Sequence, residues 1–143
     1  QAMSAGFTKY TPVAGIPNLL SAISQKLKRD NNLDYAPNEI LVSTGAKQSL
    51  ANVILSIVNP GDEVIVPAMT FIATANVVEL VGATPIFIDC DPETLLITPE
   101  LVKSAITKKT KAIIPVHIYG SVCEMDEIMK IAKKSSGVFS QSI

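Results

Sequence analysis

Short apolar runs alternate repeatedly along this chain with longer segments of helical period. Short apolar runs bounded by turn residues predict buried strands, and apolar residues at every third or fourth position predict helices. The predicted strands are residues 40–42, 63–67, 84–89 and 112–116, with a last strand from 138–139. The predicted helices are residues 17 to about 31, 46–58, 70–81, 98–106 and 124–134. We therefore expect an α/β fold of three layers, with a mostly parallel sheet and helices on both faces.

The segment from 39 to 58 contains a candidate ligand site, because it combines an apolar run, a turn of small residues and a helix. Ser43 or Thr44 can cap this helix, and Gly45 lets the backbone approach a ligand closely. The N–H groups of the first helical turn and the helix dipole then favour an anion, and phosphate in particular. The same arrangement also occurs in many α/β units that bind no ligand. Several apolar residues should form one face of the helix: Leu50, Val53, Ile54, Ile57 and Val58.

Length, composition and charge indicate the size of the fold and argue against one class of partner. The chain has 143 residues, 48% of them hydrophobic, which is enough for one domain with a sizeable core. The net charge of -1 and the scattered basic residues argue against nucleic-acid binding. We expect a single domain over residues 1–143, with residues 1–9 disordered.

The sequence shows the pattern of neither a membrane span, a signal peptide nor a cysteine metal site. No apolar run has the length of a membrane span, and the segment from Gln1 onward does not resemble a signal peptide. Cys90 and Cys123 lack the spacing of a metal site and are typical of reduced thiols in an intracellular protein. We therefore expect a cytoplasmic location without a metal centre.

Two groups of motifs in this chain are specific in both residue types and spacing. Tyr-Thr-Pro-Val-Ala-Gly-Ile-Pro at 10–17, Val-Ser-Thr-Gly-Ala-Lys-Gln-Ser at 42–49 and Asn-Pro-Gly-Asp-Glu-Val at 59–64 resemble aspartate aminotransferase, over residues 10–65. The segments 66–76, 87–94 and 114–120 resemble sugar aminotransferases of nucleotide-sugar and antibiotic biosynthesis, over residues 64–134. Both groups are aminotransferases that use pyridoxal phosphate and have fold type I. The chain therefore resembles a splice of these two groups near residues 61–67, of natural or engineered origin.

The resemblance implies the large domain of an aminotransferase and roles for five residues. Backbone N–H groups of Gly45, Ala46 and Lys47 would hold the phosphate of pyridoxal phosphate. Phe71 matches the aromatic residue that stacks on the pyridine ring, and Tyr10 matches a tyrosine that reaches the phosphate from the other subunit of a homodimer. Two plainer interpretations stay open, in which Tyr10 is a surface turn residue and Phe71 an ordinary core residue.

The resemblance also implies what this chain lacks. In both groups the lysine that forms the Schiff base, and the carboxylate on the pyridinium nitrogen, lie on later strands than the matched region. Lys47 is not expected to reach the aldehyde of a cofactor whose phosphate it adjoins. The only arginine, Arg29, lies at the polar end of the first helix, so the substrate-binding arginine is missing too.

The resemblance predicts a fragment or chimera of an aminotransferase whose parent reaction moves an amino group from an amino donor to a keto acid or keto sugar. We expect the chain to bind the cofactor phosphate and its small-molecule partners to be those of this reaction. By itself it should be inactive, with no catalytic residue of its own.

Functions from other classes compete with this one. The main alternative is a non-catalytic α/β structural module or a designed fragment. Asp89 and Asp91 follow an apolar run, as in haloacid-dehalogenase phosphatases, where one carboxylate is a nucleophile, the other a general acid, and magnesium lies between them. Glu93 stands where that motif has Thr or Val. His117 has no nucleophile paired with it by a local motif, which favours a structural role.

Overall fold

The computed structural model describes residue 1 and residues 3–6, 8–135 and 137–140. The chain divides into two compact units, Gln1–Thr44 and Gly45–Ile143. Within the described part, no helix is long and apolar enough to cross a membrane. A single domain over residues 1–143 and a splice near residues 61–67 stay predictions.

The first unit contains helix α1, Pro17–Asn31, followed by a short 3-10 helix over Pro37–Glu39. Pro17 takes the first helical position, where its missing N–H costs no hydrogen bond. Asn32 ends α1 in the left-handed conformation, with φ 54° and ψ 34°. The predicted beginning and end of this helix are therefore confirmed.

The predicted strand at residues 40–42 is wrong. Ile40 has extended backbone angles, but no strand pairing of the described residues includes this segment. The Val42 N–H instead donates to the Ala14 carbonyl at 2.9 Å, and Leu41 is exposed. The physical reason is that an apolar run becomes a strand only beside a partner strand, because its backbone groups need partners along its length.

The second unit contains a four-stranded sheet in the order β2-β1-β3-β4, and every pairing in it is parallel. Its elements are α2 Ala46–Ile57, β1 Glu63–Pro67, α3 Ala73–Leu80, β2 Thr84–Ile88, α4 Pro99–Ala105, β3 Thr110–Ile113, α5 Met125–Lys134 and β4 Phe139–Ser140. The predicted last strand is thus confirmed. The third predicted helix begins at Ala73 rather than 70, because residues 68–70 form a bend after β1.

The core lies on both faces of β1, because side chains alternate along a strand. Val64 and Val66 pack with residues of α2 and α3 on one face. Ile65 packs with residues of α4 and α5 on the other face. All three side chains are fully buried. The predicted α/β fold with a parallel sheet and helices on both faces is confirmed.

Candidate functional site

A pocket of about 360 Å³ lies where β1 and β3 end, beside the N-termini of α2 and α3. This volume falls in the range of about 300–1,000 Å³ that is typical of small-molecule sites. In open parallel sheets, ligands bind outside the carboxyl ends of the strands, which is where this pocket lies. The lining residues are Ala46, Lys47, Leu50, Thr70, Phe71, Ala73, Thr74, Val116 and Ile118.

The N-terminus of α2 has the geometry of an anion site. Its N-cap residue is Gly45, one or two positions after the predicted caps Thr44 and Ser43. Gly45 has φ 91° and ψ 169°, a backbone conformation found essentially only for glycine. The first intrahelical hydrogen bond runs from the Ser49 N–H to the Gly45 carbonyl at 3.3 Å. The N–H groups of Ala46 and Lys47 lie at the start of α2, before this bond, and with the helix dipole they attract negative charge.

The space in front of Gly45 is open. A Cβ atom placed on this glycine would have no described atom within 4 Å. The sequence therefore puts glycine here for its backbone conformation, and the open space leaves room for a ligand to approach the chain.

Phe71 lies in the segment between β1 and α3, directly after a bend, and 63% of its surface is exposed. This exposure excludes the interpretation of Phe71 as an ordinary core residue. The Lys47 Nζ atom lies over the ring, 4.5 Å from its centroid, which is a cation–π contact. The structure thus brings Lys47 and Phe71 together on one pocket, although they are far apart in sequence.

The five residues singled out from the sequence fall into three positions. Ala46, Lys47 and Phe71 line the pocket. Gly45 directly precedes it as the N-cap of α2. Tyr10 belongs to the first unit, where its side chain is fully exposed. A surface turn residue fits this exposure, and a role of Tyr10 at the phosphate stays a prediction.

Two threonines of the pocket were missed by the sequence reasoning. The Thr70 and Thr74 hydroxyl oxygens lie 3.1 Å apart, so that one donates a hydrogen bond to the other. Thr74 is only 5% exposed, which makes this pair the buried polar part of the lining. Their spacing of four residues across the end of β1 and the start of a helix was the available signal.

The acidic turn after β2 is held together by its own hydrogen bonds. The Asp91 Oδ1 atom accepts from the Thr94 N–H at 2.8 Å, the Glu93 N–H at 3.0 Å and the Thr94 hydroxyl at 3.0 Å. These bonds, above all the one from the Thr94 N–H, lower the pKa of Asp91. Within the described ranges no group of three or more His, Cys, Asp or Glu residues could hold a metal ion. A carboxyl with a lowered pKa is poorly suited to act as a general acid, which favours a structural role for Asp91.

His117 also has a structural contact. Its Nδ1 atom accepts a hydrogen bond from the Cys123 N–H at 3.2 Å, which closes the loop after β3. The Cys123 thiol donates to the Val116 carbonyl at 3.4 Å, and burial raises the pKa of this thiol. Cys90 and Cys123 are both free thiols.

A larger groove of about 510 Å³ lies between α4 and α5, but its chemistry differs. Its lining consists of residues of these helices and their ends, and it includes no strand residue. The Lys130 ammonium on its wall pairs with the Glu127 carboxylate at 2.6 Å. Because the charges of this pair are exposed and compensate each other, the pocket at Phe71 is the stronger candidate for an anionic ligand.

Comparison with solved structures places this fold among aminotransferases. A Thermus thermophilus aspartate aminotransferase mutant matches 99% of this chain with a TM-score of 0.86 and 33% identity, and this chain covers 39% of it. A protein from Streptococcus pneumoniae, described as a sugar aminotransferase in its PLP form, matches 65% of this chain with a TM-score of 0.60 and 41% identity. This chain covers 24% of that protein.

Comparison with curated proteins gives the same class. The aspartate aminotransferase of Bacillus sp. (strain YM-2) is 45% identical over 135 residues, which are 92% of this chain and 34% of that protein. The chain thus spans about a third of the length of the curated relatives that it matches. Residues 36–139 match the DegT/DnrJ/EryC1/StrS aminotransferase family. The two predicted resemblances, to aspartate aminotransferase and to sugar aminotransferases, are confirmed, and they overlap along the chain. The chain belongs to the DegT/DnrJ/EryC1/StrS aminotransferase family, whose members have fold type I and depend on pyridoxal phosphate.

Proposed function

We propose that this chain is the part of a pyridoxal-phosphate-dependent aminotransferase that holds the cofactor at the carboxyl edge of the sheet. The phosphate binds at the N-terminus of α2, and the pyridine ring lies against Phe71. One observation supports this most strongly, namely that the first turn of α2 and the exposed ring of Phe71 line the same pocket.

The residues present fit the cofactor on three counts. The N–H groups of Gly45, Ala46 and Lys47 precede the first intrahelical hydrogen bond and can each donate to a phosphate oxygen. The open space in front of Gly45 admits that oxygen without a clash. Phe71 presents a flat apolar face to a flat aromatic ligand.

In such an enzyme the cofactor supplies an electron sink for the transfer of an amino group. The residues of this chain bind and orient it, and the mostly apolar lining of the pocket excludes water from the ring. The parent reaction moves an amino group from an amino donor to a keto acid or keto sugar. We infer that the lysine and the carboxylate needed for this chemistry lie on strands beyond the matched region, so that this chain does not transfer amino groups by itself.

The proposal includes a homodimer in which Tyr10 of one subunit reaches the phosphate held by the other. The full exposure of Tyr10 supports this, because the side chain is available to a second copy. Sedimentation velocity of the chain with and without pyridoxal phosphate tests the dimer, and a monomer under both conditions would overturn this part.

The first experiment is a titration with pyridoxal phosphate, followed by borohydride reduction and intact mass measurement. We expect saturable binding without a stoichiometric adduct, because the N-terminus of α2 can hold the phosphate, whereas the lysine of the Schiff base is inferred to lie beyond the matched region. A single adduct on one lysine would overturn the inference about the missing lysine. The absence of binding would overturn the cofactor site itself.

The site assignment is tested by Gly45→Val, with Gly61→Val as its matched control. Both glycines have positive φ, 91° and 88°, and neither has a described atom within 4 Å of an added Cβ. Valine is therefore strained at either position, at a cost of the order of 1–3 kcal/mol. Gly61 lies before β1, at the amino edge of the sheet, whereas Gly45 caps α2.

We expect Gly45→Val to abolish cofactor binding, while Gly61→Val retains it and both variants keep the circular dichroism of the folded chain. Valine at position 45 both disfavours the required backbone angles and occupies the space of the phosphate. Equal affinity of the two variants would contradict a phosphate site at the N-terminus of α2.

A further inference from the structure

The Lys47 ammonium covers the face of Phe71 that the proposed cofactor needs. Lys47 and Phe71 line the same pocket, and the Nζ atom lies 4.5 Å from the ring centroid. Stacked aromatic rings prefer centroid separations of about 4.5–7 Å. The ammonium and a stacked pyridine ring would therefore occupy the same space, and a ring can bind there only if the lysine side chain moves away.

A phosphate group on the same ligand gives Lys47 a second place to go. Lys47 lies in the first turn of α2, next to the N–H groups that would hold the phosphate. Its ammonium can exchange the weak contact with Phe71 for a charge interaction with the phosphate. A ring without a phosphate must displace the ammonium and offers it no such partner.

We propose that Lys47 is a specificity-determining residue, which makes the Phe71 pocket select phosphorylated over unphosphorylated pyridine rings. The inference rests on the proposed function, because it assumes that the ring stacks on Phe71. It goes beyond that function in giving the side chain of Lys47 a role of its own. In this role the Lys47 side chain weakens the binding of unphosphorylated rings. This effect is separate from that of the Lys47 backbone N–H, which would contact the phosphate.

The selectivity of such a contact has a definite size. A cation–π contact at an exposed site changes an equilibrium constant by about two- to fivefold. Loss of the lysine should therefore strengthen the binding of an unphosphorylated ring by about two- to fivefold. The same change should leave the binding of a phosphorylated ring equal or weaker, because the charge interaction with the phosphate is lost too.

The test compares Lys47→Ala with the wild-type chain, using pyridoxine and pyridoxine 5′-phosphate as probes. Neither probe carries an aldehyde, so neither can react with a lysine. Chemical-shift titrations by NMR measure both affinities, including weak ones. We expect the preference of the wild-type chain for the phosphorylated probe to fall by about threefold or more in Lys47→Ala.

Two control variants separate this role from a general effect of charge. Lys47→Arg keeps a cation for the ring and for the phosphate, so it should keep the preference. Lys103→Ala removes an exposed lysine from α4, away from the Phe71 pocket, and should also keep it. Ring-current shifts give an independent readout, because the side-chain protons of Lys47 should resonate upfield in the ligand-free chain and lose that shift in Phe71→Leu.

The outcomes distinguish this inference from the proposed function. If the wild-type chain binds neither probe, both are overturned. If it binds pyridoxine 5′-phosphate but Lys47→Ala leaves the preference unchanged, or weakens pyridoxine binding, only the role of Lys47 is overturned. Tighter pyridoxine binding in Lys47→Ala, together with an upfield shift in the ligand-free wild-type chain, supports it.

Discussion

The carboxyl ends of β1 and β2 lie side by side in one sheet, yet they differ in what they offer to a ligand. Pro67 and Ile88 are register partners at the last position of the two strands. After β1 the chain continues into an open pocket with the exposed ring of Phe71. After β2 it enters an acidic turn in which the Asp91 carboxylate already accepts three hydrogen bonds.

A position at the end of a parallel strand is therefore not sufficient for a ligand site. A carboxylate oxygen that accepts three local donors gains little from a new partner, because a ligand would only replace bonds that exist. An exposed aromatic ring in a pocket has the opposite character, because covering it removes apolar surface from water. The end of β1 thus has apolar surface that a ligand can still cover, whereas the Asp91 oxygen after β2 already has its hydrogen-bond donors.

Among changes at the two strand ends, Phe71→Ala is expected to have the largest effect, because it removes the exposed ring at the end of β1. Cofactor affinity should fall about tenfold or more, because an aromatic pair contributes about 0.5–1.5 kcal/mol beyond the burial of its apolar area. The fold should be retained, since Phe71 is 63% exposed. The measurement is the titration with pyridoxal phosphate, together with thermal unfolding.

Phe87→Ala is the matched control for this variant. Phe87 is an aromatic residue of β2 with similar exposure, 56%, and it pairs in register with Val66. Cofactor affinity should be unchanged, because this ring does not line the pocket. If both variants lose affinity equally, the contrast between the two strand ends does not explain binding.

The fold could be predicted from the sequence wherever local pattern and tertiary packing require the same thing. The apolar run at 63–67 is long enough to be buried on both faces, and it became the central strand β1. The segment at 98–101 carries its own start signal, and the Thr98 hydroxyl does accept from the Leu101 N–H at 3.3 Å. The run at 40–42 failed as a strand because its pairing depends on a neighbour that local sequence does not reveal.

The site could be predicted only in part for the same reason. The small-residue turn identified the N-terminus of α2, but the residue that caps this helix is Gly45, in an unusual backbone conformation, and not Ser43 or Thr44. The hydroxyl pair of Thr70 and Thr74 and the contact between Lys47 and Phe71 depend on packing between elements. No spacing rule relates residue 47 to residue 71.

A smaller effect is expected from Asp91→Ala, which opens the acidic turn after β2. The melting temperature should fall, because the N–H groups of Glu93 and Thr94 lose their acceptor. Cofactor affinity should stay within about twofold of wild type, because Asp91 does not line the Phe71 pocket and its hydrogen bonds stay within its own turn. Asp89→Ala is the control, since Asp89 accepts from the Cys90 N–H and should contribute less. Loss of cofactor binding in Asp91→Ala would mean that the acidic turn also serves the ligand.

The smallest effect is the pH dependence of the difference in melting temperature between the wild-type chain and Asp91→Ala. The pKa of Asp91 is lowered in the folded chain from the ordinary value of 3.8. A lowered pKa means that the unfolded chain binds the proton more readily, so the stabilisation is fully present above this ordinary value and is lost as pH falls through the folded pKa. The gap in melting temperature between wild type and Asp91→Ala should be constant from about pH 7 to pH 5 and should narrow below about pH 4. Thermal scans across this range measure it, and a gap that widens as pH falls would show that the carboxylate does not hold the turn.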